Sequence, residues 1–236
     1  MIFENRISGI EPFTLLDYKD NISAILFYSG CNLRCPYCYN GDVVLNKINR
    51  INPEEIITFI NKRKGKLDAF VFSGGECTLH GQNLIEDIQY IKDNGFKVKL
   101  DTNGTNPLIV KTLIESQLVN YIALDIKAHK NKANIFYNEL YYNNFIETLT
   151  FLIEKNFNFE IRTTVHSDII NEEDINLIIK ELEKLNYKGN YYIQFYFPVD
   201  KTLGNVSNNP RYFDITKINQ SQNINIQYRN IESNKK

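Results

Sequence analysis

Six short runs rich in β-branched and aromatic residues punctuate the chain, at 22–28, 67–72, 96–101, 119–125, 157–165 and 190–197, and each predicts a strand. Between them the apolar positions switch to a helical period. Ile56, Ile57, Phe59 and Ile60 follow Asn52-Pro53-Glu54-Glu55, a helix start in which Asn caps, Pro takes the first helical position and the acids face the positive end of the dipole. Lys62, Arg63, Lys64 and Gly65 close that segment at its negative end. Leu84, Ile85, Ile88 and Ile91 form the next stripe, which stops at Asn94-Gly95. Asn106-Pro107 opens another, carrying Leu108, Ile109, Leu113 and Ile114; Phe145, Leu149 and Leu152 mark a fourth. Asn171 followed by Glu172, Glu173 and Asp174 opens the fifth, with Ile175, Ile178, Ile179, Leu182 and Leu185.

This alternation predicts an α/β fold with a parallel sheet wound by helices. Six strands are too few for a full eight-stranded barrel, so the expected architecture is a (β/α)6 partial TIM barrel in one domain. A flat doubly wound sheet is the alternative. The core is expected over 22–200, with an N-terminal extension over 1–21 and a C-terminal one over 201–236. The tail is Asn-rich and carries one candidate strand at 224–228.

Parallel α/β folds bind ligands at the carboxyl ends of their strands. Here the first strand runs into Gly30-Cys31 and the second into Ser73-Gly74-Gly75-Glu76. The third ends in Asp101-Thr102-Asn103-Gly104 and the fourth in Asp125-Ile126-Lys127. The fifth carries Arg162-Thr163-Thr164-Val165-His166 and the sixth Gln194. Charged and glycine-rich groups therefore fall on one rim.

Composition narrows the partners. A net charge of −1 over 236 residues gives no basic field, which argues against nucleic acid or an acidic membrane. No apolar run approaches the roughly 20 residues of a membrane span, and residues 1–12 lack the apolar core of a signal peptide. Cytoplasm is the expected location. Three of the four cysteines lie within eight residues, which suits a metal site better than a disulfide framework.

Cys31-Asn32-Leu33-Arg34-Cys35-Pro36-Tyr37-Cys38 is a C-x3-C-x2-C run on a loop after a strand. Thiolates favour zinc or iron–sulfur clusters. Structural zinc takes four protein ligands, and only Cys77 remains as a further thiolate, while neither His80 nor His129 has zinc-finger spacing. Three ligands suit a cubane with one iron left open.

With an aromatic before its third Cys, this run resembles the signature of the radical S-adenosylmethionine superfamily, and Gly74-Gly75-Glu76 is similar to that family's second motif. The resemblance implies one [4Fe-4S] cluster on Cys31, Cys35 and Cys38, with S-adenosylmethionine chelating the open iron. Reductive cleavage of the sulfonium would then give methionine and a 5′-deoxyadenosyl radical that abstracts hydrogen. Residues 100–107, 122–128 and 161–165, with 10–18, are similar to the anaerobic ribonucleoside-triphosphate reductase activating proteins, themselves similar to pyruvate formate-lyase activating enzymes.

The same resemblance implies residue roles. Gly74 and Gly75 would let the backbone pass close to the methionyl group, and Glu76 would accept from its ammonium. Asp101 and Asp125 would face the ribose or methionyl end, Asn103 beside them, and Lys127 would pair with the carboxylate. Tyr37 would offer backbone polar groups to adenine; Arg162 and Val165 would line the cofactor. Each has a bland reading: a strand-end turn for the glycines, helix capping for Asp101 and Asn103, a surface ion pair for Asp125 and Lys127, and a core-edge arginine with a carboxylate partner for Arg162. Their placement on successive strand ends favours function. Cys77 reads as a packing thiol, and His166 as a strand-end polar group.

With three cysteines used, no second cysteine-ligated cluster can be built, so electrons must come from outside, and the resemblance implies a flavodoxin or ferredoxin type of donor. The expected target is a glycine Cα of an anaerobic ribonucleotide reductase or another glycyl radical enzyme. The competing readings are a small-molecule enzyme of the 7-carboxy-7-deazaguanine synthase kind and a non-enzymatic metal- or cluster-binding electron carrier.

Overall fold

The computed structural model describes residues 2–235. Eight strands form one sheet whose order follows the chain, β1 to β8. By its internal packing the chain divides into two compact units. The first runs to Asn32 and adds Asn40–Thr102 and Asn106–Ile122; the second combines Leu33–Tyr39, Asn103–Thr105 and everything from Ala123 on.

The first unit holds β1 (Ile7–Thr14), β2 (Ser23–Tyr28), β3 (Ala69–Gly74) and β4 (Lys97–Thr102). It also holds α1 (Gly41–Val44), α2 (Pro53–Arg63), α3 (Gln82–Asp93) and α4 (Pro107–Glu115). β2, β3 and β4 pair in parallel. Alternate strand residues, among them Leu26, Phe70, Phe72, Val98 and Leu100, are fully buried, as are Ile56 and Ile60 of α2 and Leu84 and Ile88 of α3. That is the period-two face meeting the period-3.6 stripe. Asn52 caps α2 through its side chain, which accepts from the Glu54 N–H at 2.9 Å.

β1 was not foreseen from the sequence. It pairs antiparallel with β2 and has two register shifts, one beside Gly9 and one across Pro12. A strand with a glycine, a proline and no clean alternation gives little period-two signal, and Pro lacks the N–H that a central strand would need.

One buried cluster ties the N-terminal segment to this unit. The Asp87 carboxylate of α3 accepts from the Phe3 N–H at 2.6 Å, the Arg6 Nε at 2.8 Å and the Tyr28 hydroxyl at 2.8 Å. Burial pushes the Asp87 carboxyl up, against the pull of those donors. The pair is therefore better at fixing geometry than at adding net stability.

The second unit holds the rest of β5 (Tyr121–Asp125), then β6 (Phe159–Val165), β7 (Gly189–Phe195) and β8 (Ile224–Arg229), with α5 (Glu139–Glu154) and α6 (Glu172–Lys184). β6, β7 and β8 pair in parallel. Asn171 and Asp174 form a reciprocal capping box at the start of α6. The strand expected at 224–228 is β8, and it extends the sheet beyond the six predicted segments.

Asp87→Ala should destabilise the protein by about 3–5 kcal/mol, because it removes the buried acceptor shared by the Phe3 amide, the Arg6 guanidinium and the Tyr28 hydroxyl. Urea unfolding checks this, and adding Arg6→Met should recover part of the loss; no recovery would show that the Arg6–Asp87 ion pair is not its source.

Candidate cluster and cofactor site

β2 ends at Tyr28, and Ser29-Gly30 lead into Cys31. Main-chain hydrogen bonds hold this approach: Gly30 N–H to the Val43 carbonyl (2.9 Å), Gly75 N–H to Tyr28 (2.8 Å) and Glu76 N–H to Gly30 (2.8 Å). A Cβ on Gly74, where φ is +120°, would lie 2.2 Å from the Tyr28 carbonyl oxygen, and one on Gly75 would lie 1.9 Å from that of Gly30. The two glycines are therefore required by the backbone that carries Cys31, independently of any cofactor.

Glu76 is buried, and its Oε1 accepts from the Thr78 N–H (3.2 Å), the Thr78 hydroxyl (2.6 Å) and the Thr102 hydroxyl (2.8 Å). Its carboxylate orientation is thus fixed by β4 and by the turn that follows it. Asp101 lies 3.0 Å from the Lys99 ammonium and accepts from the Ser73 hydroxyl at 3.3 Å. Asp101 does not cap α4, whose cap position is Asn106. Cys77 is fully buried, its thiol directed at the Phe72 and Asp101 carbonyls, and burial pushes it well above the ordinary thiol range. A thiol kept protonated in that way packs rather than ligates.

In the second unit, Cys35 and Cys38 flank Pro36-Tyr37, with the Cys38 N–H bonded to the Cys35 carbonyl at 3.0 Å. Tyr37 is buried, its ring 5.6 Å from that of Phe136, and its hydroxyl has no hydrogen-bond partner among the described residues. At the end of β5, Asp125 is gripped at both oxygens by Arg162 of β6 (2.7 and 3.2 Å) and approached by the Lys127 ammonium at 3.3 Å. Burial pushes Asp125 up, but Arg162 and Lys127 outweigh it and hold the carboxyl at about 2. Burial opposes the charge on Lys127, yet Asp125 and Cys35 raise it above the ordinary range. Burial likewise pushes the Cys35 thiol up, and the Lys127 cation pulls it down.

The remaining predicted residues serve the same unit. Val165 is buried at the end of β6 and its carbonyl accepts from the Tyr196 N–H at 2.9 Å. The Asn103 carboxamide accepts from the N–H and hydroxyl of Thr105, closing an Asx turn after β4.

Several neighbours escaped the sequence reading. The Tyr137 hydroxyl accepts from the Lys127 N–H at 3.1 Å and fixes the turn after β5. On the sheet face that carries Arg162, Arg229 of β8 grips both oxygens of Glu160 (2.9 and 3.1 Å), donates to Gln194 (3.1 Å) and sits 3.5 Å over the Tyr192 ring. The period of two in Glu160/Arg162, Tyr192/Gln194 and Gln227/Arg229 was the available signal. The third missed group is Leu203-Gly204, whose N–H groups reach the Cys38 and Pro36 carbonyls.

By their chemistry, though not as a preformed cage among the described residues, these donors suit an iron–sulfur cluster. All three thiols of the motif are half-buried on one short loop and none is in a disulfide, while the fourth cysteine is sealed in the core. Soft thiolate donors with one short of a full set suit an iron–sulfur cluster. In the first unit Glu76 offers an acceptor; in the second the orphaned Tyr37 hydroxyl and the Lys127 cation offer donors.

A sequence model described as the radical SAM superfamily matches residues 25–183. A Methanocaldococcus jannaschii protein named as a candidate glycyl-radical enzyme activating enzyme is 36% identical over 199 residues, covering 82% of this chain and 81% of that one. The pyruvate formate-lyase-activating enzyme of Clostridium pasteurianum is 33% identical over 42% of this chain and 43% of its own. A 7-carboxy-7-deazaguanine synthase of M. jannaschii is 26% identical over 67% of this chain and 69% of its own. Among solved structures, Streptococcus suis SuiB bound to S-adenosylmethionine superposes with a TM-score of 0.59 at 15% identity, over 84% of this chain and 48% of that one. anSMEcpe with bound AdoMet gives 0.54 at 22%, over 71% and 49%. The chain spans about half the length of these two structures.

Gly75→Ala should lower the iron held after reconstitution in protein that remains folded, since the new methyl displaces the Gly30 carbonyl; iron equal to wild type would count against the close approach. Asp125 sits below its unfolded value, so it stabilises the fold above about pH 4 and loses that contribution as pH falls towards 2. The shift corresponds to ~2 kcal/mol. Asp125→Asn should therefore show a flatter decline in stability over that window, measured by urea unfolding against pH; parallel curves would exclude this carboxylate as the source.

Proposed function

The chain belongs to the radical S-adenosylmethionine superfamily, and from that premise we propose that it is an activase that places a glycyl radical on a partner enzyme, with an anaerobic ribonucleoside-triphosphate reductase as the target. The observation that carries this reading is the 36% identity, over four-fifths of both chains, to a protein named as a candidate glycyl-radical enzyme activating enzyme. The superfamily's cofactors are one [4Fe-4S] cluster and S-adenosylmethionine. When bound, they supply a one-electron cleavage of the sulfonium that ends in hydrogen abstraction from carbon.

The residues of this chain bind, orient and shield those groups. Cys31, Cys35 and Cys38 are assigned as the thiolate ligands. Glu76, already oriented by Thr78 and Thr102, is assigned to accept from the cofactor's ammonium. Because Arg162 grips both Asp125 oxygens, Lys127 needs only one of its three donors there. It can turn another to the cofactor's carboxylate. Asp101 and Asn103 are assigned to the ribose side, Tyr37 and Val165 to adenine, and Gly74 and Gly75 to bringing Glu76 and Cys31 together.

With Cys77 sealed in the core, the chain has no thiols for a second cluster. Electrons are therefore assigned to an external donor of the flavodoxin or ferredoxin type, and the reaction to the cytoplasm. Among the described residues no helix is long and apolar enough to cross a membrane. The reading against which the activase must be tested is a small-molecule enzyme, favoured by the similarity to a 7-carboxy-7-deazaguanine synthase over two-thirds of both chains.

Reconstituted protein should contain about four irons per chain; about eight would end the single-cluster reading. Mixed anaerobically with reductant, S-adenosylmethionine and the organism's anaerobic ribonucleotide reductase, it should give a glycyl doublet in the EPR spectrum and release 5′-deoxyadenosine. Cys35→Ala should abolish both. Deoxyadenosine with no doublet on the reductase would reject that target, and turnover of a small molecule in place of a protein would replace the activase reading.

A further inference from the structure

The geometry points to residues 202–211 as a strap that positions the cysteine loop, acting through Leu203 and Gly204 on the main chain of Pro36 and Cys38. The Leu203 N–H donates to the Cys38 carbonyl at 2.9 Å and the Gly204 N–H to the Pro36 carbonyl at 2.8 Å. The approach leaves no space: a Cβ on Gly204 would lie 2.8 Å from both Cα and Cβ of Pro36 and 3.1 Å from its carbonyl oxygen. Only glycine fits without moving the loop.

The strap is itself fixed on both sides of this clamp. The buried Thr202 hydroxyl accepts from the Val206 N–H at 3.0 Å, and the Asn205 N–H returns to the Thr202 carbonyl at 3.3 Å, so residues 202–206 form a closed turn. Beyond it, the buried His166 at the end of β6 bonds the Ser207 carbonyl through Nε2 at 2.8 Å. The Ser167 hydroxyl donates to the Arg211 carbonyl. The Arg211 guanidinium grips both Glu172 oxygens at the start of α6, at 3.0 and 2.6 Å.

Peptide planarity turns this clamp into control of the loop. A carbonyl and the following N–H lie in one plane and point oppositely in a trans peptide. Holding the Pro36 and Cys38 carbonyls towards the strap therefore directs the Tyr37 and Tyr39 N–H groups away from it. The Cys38–Tyr39 plane adjoins Cys38 and the Pro36–Tyr37 plane lies one peptide before it, so the strap sets the direction of two dipoles close to that thiolate. Hydrogen bonds and solvent access around the sulfurs tune an iron–sulfur centre as much as the ligands do. The strap also explains His166, which acts here as a positioning residue for the strap and touches no reacting atom.

This inference rests on the ligand reading above, and the test separates the two. Wild type, Gly204→Val, His166→Gln and Cys35→Ala are reconstituted anaerobically. Thermal melts establish folding, and iron release to a chelator, the EPR line shape and the midpoint potential of the reduced centre are recorded. Gly204→Val, melting as wild type does, should release iron roughly ten-fold faster or more and show an altered EPR line shape. His166→Gln, which loosens the strap without adding bulk, should move both readouts in the same direction and decides the matter should Gly204→Val not fold. Unchanged release and spectrum in the folded variants would overturn the strap while leaving the ligand assignment intact. Iron retained by Cys35→Ala, or none bound by wild type, would overturn the ligand assignment and the strap's role with it.

Discussion

The loop that carries Cys31, Cys35 and Cys38 is held by main-chain hydrogen bonds at each end. On the upstream side the Gly75 and Glu76 N–H groups bond the carbonyls of Tyr28 and Gly30, at a spacing that leaves no room for a Cβ on Gly74 or Gly75. On the downstream side the Leu203 and Gly204 N–H groups bond the carbonyls of Cys38 and Pro36, again with no room for a Cβ. Glycine is used at both ends for the same reason: the closest approach of two backbones is set by the missing side chain. The buried Asp87 cluster, the capping box of α6 and the Glu172–Arg211 pair all lie one step behind these contacts, anchoring the pieces that make them.

Charge is managed differently in the two units. In the first, Glu76 accepts from the Thr78 amide and from the Thr78 and Thr102 hydroxyls, which fix its direction. In the second, carboxylates are met by guanidinium forks: Arg162 on Asp125 and Arg229 on Glu160. A fork holds a carboxylate in one plane and keeps it ionised. Asp125 is therefore a fixed anion that steers Lys127, and the ammonium is left with donors to spare.

The cysteine spacing, the glycine pair and the charged strand ends were all visible in the residues, because each depends on local chemistry. Helix starts at Asn52-Pro53 and Asn171 were legible for the same reason: a cap is written within three or four positions of where it acts. β1 was not legible, since Gly9 and Pro12 erase the alternation that announces a strand. The bland readings also divided cleanly. Asp101 pairs with Lys99 while Asn106 holds the cap position of α4, whereas Cys77 is a fully buried thiol of the core.

By itself the sequence determined the fold class and the superfamily, because hydrophobic period and clustered thiols are properties of neighbouring positions. It also put the glycine pair, Glu76, Asp101, Asp125 and Val165 at or beside strand ends. Tertiary structure alone decided what each of them touches. The glycine pair meets a strand more than forty positions away in the chain, and Gly204 meets Pro36 across most of its length. The Arg162 grip on Asp125, the Arg229 contacts on β6 and β7 and the His166 hold on Ser207 are likewise pairings of distant segments. Nothing in local composition encodes such partners, since any acid or carbonyl would satisfy an arginine or an amide. Only the register of parallel strands and the path of the tail selects which one does.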